Sequence, residues 1–364
     1  MRDQLINQPD MPTNPRHNST TKVISSRYLG ALLAILFGAA AFASRPSVND
    51  RDRVRLAPHF VVGQVLDYQI EMRNVTKGRT TGMVQDPEAA SQLSQSTSLV
   101  VRLEVLNLES AAGNDAPKVR IRATCRHASV TNESDAYDEQ AEAIAQQYHK
   151  LEGHTLEFGL DADGRVSEVT GLEGVIQDPA TLASVRGWLG NISAGARFPK
   201  KGIVMGEKWH TEEPVPGAPL RETVWRADSS YLRNESCRNA GGGDPAEEKS
   251  VKPRMDIPST TDNQDLCAVI LTQFQILQAN PHGDLTPADY LHNGLRTSGV
   301  WTGSGESMNF VSLQTGLLVS ATQNVDQDLN FTISSATATS SKLNYTGNVK
   351  SQSHIMLLQP ANKN

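Results

Sequence analysis

From residue 60 onward, polarity reverses at every second side chain, and this period of two constrains the fold more than any other feature of the chain. Leu66, Tyr68, Ile70 and Met72 share one parity, with Asp67, Gln69, Glu71 and Arg73 on the other. Leu99, Val101, Leu103 and Val105 repeat the pattern against Arg102 and Glu104, and Val119, Ile121, Ala123 and Cys125 repeat it against Arg120, Arg122 and Thr124. Successive strand side chains point to opposite faces, so this is the signature of half-buried antiparallel strands. Cys125 continues an apolar face and reads as a small core side chain, not a nucleophile.

Two helices interrupt the strands. One is expected over about 134–152, with Ser134 as cap, Tyr137, Ala141, Ile144, Ala145 and Tyr148 as its apolar stripe and Gly153 as its stop. The other is expected over about 179–190, with Pro179 at the first helical position and Leu182, Val185 and Leu189 buried. Residues 75–96 contain Gly78, Gly82 and Pro87 and read as a long loop or flap. Asp163-Gly164 is a hairpin turn. The second half is strand-rich again, with separate strands over 299–302 and 307–311 and a last one reaching Leu357.

The halves share a weak repeat. Leu156-Glu157-Phe158, Gly164, Val166 and Thr170 correspond to Met308-Asn309-Phe310, Gly316, Leu318 and Thr322 at one shift, and Gly63 with Leu66 corresponds to Gly206 with Trp209 at another. The fold class that follows is mainly β: two similar curved antiparallel sheets, half-barrel-like, with one or two covering helices. The expected divisions are an apolar segment within 1–43, a linker over 44–59, a first β-rich half over 60–195, a second over 196–358 containing a disordered loop 236–265, and a tail over 359–364.

Residues 29–43 form an uncharged apolar run preceded by Lys22 and Arg27 and ending Ala41-Phe42-Ala43. This is the order of a secretory signal cleaved after Ala43. The alternative is one retained N-terminal membrane anchor, because the segment before Tyr28 and the run is 27 residues long. Beyond residue 43 the chain carries 30 basic and 38 acidic residues, so nucleic acid is not an expected partner and any membrane contact is assigned to the N-terminal segment alone. Cys237 and Cys267 flank a polar stretch rich in Gly, Pro and charge. A disulfide between them suits an extracytoplasmic location, periplasmic or secreted, and constrains the unfolded chain by about 3 kcal/mol.

Gly63-x-x-Leu66-x-Tyr68, Phe158 with Asp163-Gly164, Phe198-Pro199 leading to Gly206-x-x-Trp209, and Thr315-Gly316-Leu317-Leu318 resemble uncharacterised exported bacterial proteins of the kind found in acidobacteria. More remotely, the strand order is similar to the half-barrel of periplasmic lipoprotein carriers, a resemblance that implies a fold, a compartment and a concave face able to shelter acyl chains. No cysteine stands directly after the apolar run, unlike the lipid-modified carriers, and no catalytic residue carries over.

No G-x-S-x-G elbow, H-E-x-x-H helix, C-x-x-C pair or Walker loop occurs beyond the apolar run. His149, Glu152 and His154 lie together at a helix end, where the macrodipole favours histidine without a metal, and His210 with Glu212 reads as a solvated strand end. No metal, cofactor or catalytic residue is expected. Trp188, Trp209, Trp225 and Trp301 are the candidate ligand-binding residues, since indoles combine large contact area with one donor. The expectation is a non-enzymatic extracytoplasmic protein whose partner is an apolar ligand or an envelope protein. A structural or surface-display protein is the alternative, and an extracytoplasmic hydrolase a third.

Overall fold

The computed structural model describes residues 53–82, 91–109, 118–136, 139–161, 166–172, 175, 185, 188–190, 192, 198–215, 218–241, 265–278, 284–335 and 342–358. The apolar run at 29–43, the Asp163-Gly164 turn, most of 179–190 and the tail 359–364 lie outside them. Among the described residues no helix is long and apolar enough to cross a membrane.

Among the described residues, eleven antiparallel strands follow one another along the chain. The first five are β1 (Val65–Gly82), β2 (Gln92–Glu109), β3 (Lys118–Ser134), β4 (Thr155–Leu160) and β5 (Val166–Thr170). They are followed by β6 (Lys208–Pro214), β7 (Thr223–Ser236), β8 (Leu266–Gln278), β9 (Leu295–Ser312), β10 (Leu318–Ser335) and β11 (Lys342–Leu358). Helix α1 (Glu139–His149) sits between β3 and β4, a short helix α2 (Ala288–His292) precedes β9, and a 3-10 turn (Cys237–Gly241) follows β7. The order across the sheet is β5-β4-β3-β2-β1-β11-β10-β9-β8-β7-β6. Strand β11 returns to pair with β1 along sixteen positions, from Asp67 opposite Leu358 to Gly82 opposite Leu343. The two expected sheets therefore join into one open, curved sheet.

The alternation has the expected cause. Leu99, Val101, Leu103 and Val105 are each at most 1 % exposed while Arg102 and Glu104 between them are half-exposed. At one end of the sheet the apolar face is covered. There Ala145, Tyr148 and Leu151 from the region of α1, together with Val185, Trp188, Leu189 and Ile192 at helical spacing, pack on Tyr68, Ile70, Leu99, Val101 and Ile121. The Tyr68 hydroxyl donates to the Leu318 carbonyl at 2.9 Å, tying β1 to the start of β10 inside the core. A further tie comes from the segment ahead of β1, where Val54 and Ile203 exchange backbone hydrogen bonds of 2.8 and 2.9 Å.

Several local expectations need correction. Residues 75–82 and 92–96 belong to β1 and β2 and are not part of a loop. Strand β1 lies between two partners, with ladders that reach Lys77 on the β2 side and Gly82 on the β11 side, so its backbone is held extended whatever its composition. Residues 299–302 and 307–311 lie on one uninterrupted strand, β9. Ser134 ends β3 and does not cap a helix; α1 begins at Glu139, and it is the Asp135 carboxylate that accepts from the Ser91 and Gln92 amides. The expected loop 236–265 starts later, since Ser236 is still strand and 237–241 form the 3-10 turn; Asp265 is its last residue before β8. Residues 242–264 fall outside the described residues.

Candidate ligand-binding face

Beyond the covered end, the apolar face continues as a succession of rows that cross the strands. The registers place Ala227, Phe274, Gly305, Val325 and Ser351 in one row. Trp225, Ile276, Gly303, Gln327 and Val349 form the next. Trp301, Leu329, Gly347 and Gly78 follow, and then Gly299, Phe331 and Tyr345. Trp225, Trp301, Leu329, Phe331, Tyr345 and Val349 are all half-exposed there, whereas Phe274 and Ile276 are buried beneath neighbouring side chains.

Glycines give the rings room to lie along the sheet. A methyl group at Gly305 would come within 2.4 Å of the Phe274 ring, and one at Gly347 within 2.7 Å of the Tyr345 hydroxyl. Trp225 meets Phe274 edge to face at 5.2 Å, and Phe331 meets Tyr345 at 5.3 Å with the rings tilted 33°. Such pairs contribute about 0.5–1.5 kcal/mol beyond their burial. The Trp301 indole N–H donates to Gln327 Oε1 at 3.1 Å, which fixes the ring without removing it from solvent. Burial pushes the Tyr345 phenol upward, so it is a neutral donor at any ordinary pH.

The four candidate tryptophans are thus distributed. Trp225 and Trp301 lie on this half-exposed aromatic face. Trp209 shares its parity but sits on β6 near the covered end, edge-on to Phe198 at 6.0 Å and beside a recess of about 490 Å³ lined also by Lys208, His210, Asp228 and Leu271. Trp188 is buried in the core, and its indole nitrogen has no hydrogen-bond partner. Phe274, Phe331 and Tyr345 were not singled out from the sequence. The usable signal was strand parity: Gly303 and Gly305 fall on the same side of β9 as Trp301, and a row of small residues beside rings marks a flat aromatic surface.

Elsewhere the chemistry is structural. Cys237 and Cys267 form a disulfide, and Cys267 is fully buried. Burial, with the Glu152 charge adding to it, pushes the Cys125 thiol up to about 11, so it is protonated and donates to the His127 carbonyl at 3.2 Å. Glu152 faces His127 and accepts from the Ala128 amide, and His210 lies between Asp228 and Glu212. Among the described residues no three His, Cys, Asp or Glu side chains are grouped to hold a metal ion.

No protein-family model and no curated protein matches the chain. Among solved structures it is similar to lipovitellin, described there for its lipid–protein interactions, at 10 % identity and a TM-score of 0.40, over 84 % of this chain and 26 % of that one. It is also similar to a protein from Bacteroides fragilis NCTC 9343, described as exported and with a YmcC-like fold, at 10 % identity and a TM-score of 0.22. That match covers 83 % of this chain and 97 % of the other. The chain spans about a quarter of the lipovitellin chain.

Proposed function

We propose that this chain is a non-enzymatic extracytoplasmic protein that holds an apolar or amphipathic ligand against the aromatic face of its sheet. The observation that carries the reading is the half-exposed surface of Trp225, Trp301, Phe331 and Tyr345, with Tyr345 lying over Gly78 and Gly347 and the Trp301 indole anchored by one hydrogen bond. An aromatic surface with few, fixed polar groups suits an apolar body with a polar end. The Cys237–Cys267 disulfide supports an oxidising compartment.

Native mass spectrometry with lipid extraction, on protein purified from an exported fraction, tests the proposal. A reproducible apolar molecule should accompany the wild type and be lost from the Trp225→Ala/Trp301→Ala double variant. A clean apo mass for wild-type protein would overturn it in favour of a structural or surface-display role.

A further inference from the structure

The opposite, polar face of the same sheet is not uniform. At its flanks the charged side chains are committed to one another. Arg102 forms a two-pronged pair with Asp67, Arg122 reaches Glu157, and Arg226 grips Glu212. Between these flanks, the registers align Ser96, Arg73, Gln352, Asn324, Glu306 and Gln273 in one row on six consecutive strands, β2 to β8 across the sheet. All six are exposed, and none of their side chains has a hydrogen bond or ion pair. Two recesses of about 680 Å³ each straddle this row, and both are lined by Asn324 and Gln352. A solvated sheet face usually settles its long polar side chains in pairs with their neighbours. The rows beside this one do so within the same recesses, where Lys350 meets Asp326 at 3.2 Å and Gln69 donates to Glu71; the six residues of the central row do not.

We propose that this row is a binding track for a linear, uncharged, polyhydroxylated chain, an oligosaccharide laid across the strands. Ser, Asn and Gln each both donate and accept, as a sugar hydroxyl does. Arg73 and Glu306, three strands apart in the row, add one charge-assisted donor and one charge-assisted acceptor. Side chains recur at the strand spacing of about 4.8 Å, close to one sugar ring, and five such spacings extend about 24 Å. The recesses offer no deep apolar pocket for a peptide side chain or an acyl chain. Four carboxylates, Asp228, Glu306, Asp326 and Glu71, line them against two cations, Arg73 and Lys350, and Lys350 is already paired with Asp326, so the surplus is acidic and disfavours nucleic acid. The track lies on the face opposite the aromatic rows, so it stands or falls independently of the ligand proposed there.

The experiment is calorimetric titration of the exported-form protein with maltohexaose, cellohexaose and chitohexaose, and with the disaccharide of each linkage. At least one hexasaccharide should bind saturably, its disaccharide at least about tenfold more weakly. Asn324→Ala with Gln352→Ala should weaken the hexasaccharide by about tenfold or more at unchanged Tm. Arg102→Ala, at a committed flank, should leave it unchanged. Absence of saturable binding for all three hexasaccharides at millimolar concentration would overturn the proposal, and so would affinity retained in the double variant. A heptanucleotide or an anionic peptide bound more tightly than every hexasaccharide would also overturn it.

Discussion

Gly63 and Gly206 introduce two strands by the same device, and the strands then take opposite places in the sheet. Each glycine has a positive φ, 81° and 83°. The Gly63 amide donates to the Val105 carbonyl at 2.8 Å and the Gly206 amide to that of Tyr231 at 2.7 Å; the return bonds run from Val105 to Gln64 and from Tyr231 to Glu207. Gln64 and Glu207 donate backbone bonds of 2.9 Å to Val61 and Val204, and their side chains each accept from those same residues' amides at 3.1 Å. After this shared entry, β1 runs for 18 residues between two partners, whereas β6 runs for 7, pairs among the described residues only with β7 and ends at Pro214. A turn sets where a strand starts and how it is aimed. Neighbours set its length and how much of it is buried.

The largest expected effect follows from that difference. Tyr68 lies five residues after Gly63 and is fully buried, with its hydroxyl bonded to Leu318, and burial pushes its phenol far above the ordinary range. Thr211, five residues after Gly206, is half-exposed on the edge strand. Tyr68→Ala should cost about 3–5 kcal/mol in urea unfolding, and Thr211→Ala no more than about 0.5 kcal/mol. Equal losses at the two positions would break the claim that neighbours, not the turn, decide burial.

The turns themselves should respond alike. An added methyl at Gly63 or Gly206 meets nothing within 4 Å, so only the backbone conformation resists a side chain. Gly63→Ala and Gly206→Ala should each cost about 1–2 kcal/mol, within about 0.5 kcal/mol of one another. A several-fold difference in the measured losses would show that the shared hydrogen bonds conceal unlike strain.

What the sequence made legible follows the same division. The parity of Tyr68, Ile121 and Phe158 was readable because each lies on a strand with one dry and one wet face, and all three are at most 1 % exposed. The paired glycines were readable as a repeat because a turn is a local object. The strand over 75–82 was not, because Asn74, Thr76, Gly78 and Thr80 fill the position that apolar residues held earlier in β1, and pairing with β2 as far as Lys77 and with the distant β11 as far as Gly82 keeps them in a ladder. Trp225 and Trp301 could be named as ligand candidates from residue type. Trp188 was equally eligible by type, and its place in the core depends on helix packing that the period-two pattern does not encode.

The finest contrast between the two turns is the charge on the capping side chain. Gln64 caps the first turn without charge, while Glu207 also faces Arg53 at 3.0 Å and Lys201 at 3.4 Å, and Arg53 in turn donates to the Gly202 carbonyl at 2.9 Å. Burial pushes the Glu207 carboxyl up, but the Val204 amide, Lys201 and Arg53 outweigh it and hold it below its ordinary value. A carboxyl depressed in the folded state contributes stability that is fully present above its unfolded pKa, about 4.3, and is lost as pH falls through the folded one. Glu207→Gln keeps an acceptor for Val204 and removes the charge. It should cost about 1 kcal/mol at pH 7, and the gap to wild type should shrink on acidification below about pH 4. Gln64→Glu, whose carboxylate would accept from the Val61 amide as Glu207 does from Val204, should show a smaller change with pH than Glu207 does. Urea midpoints for the three proteins between pH 3 and 7 decide the matter: a gap that stays constant across that range would mean that Glu207 acts by shape and hydrogen bonding alone, as Gln64 does, and the charge would then have no part in fastening the segment before β1 to the second turn.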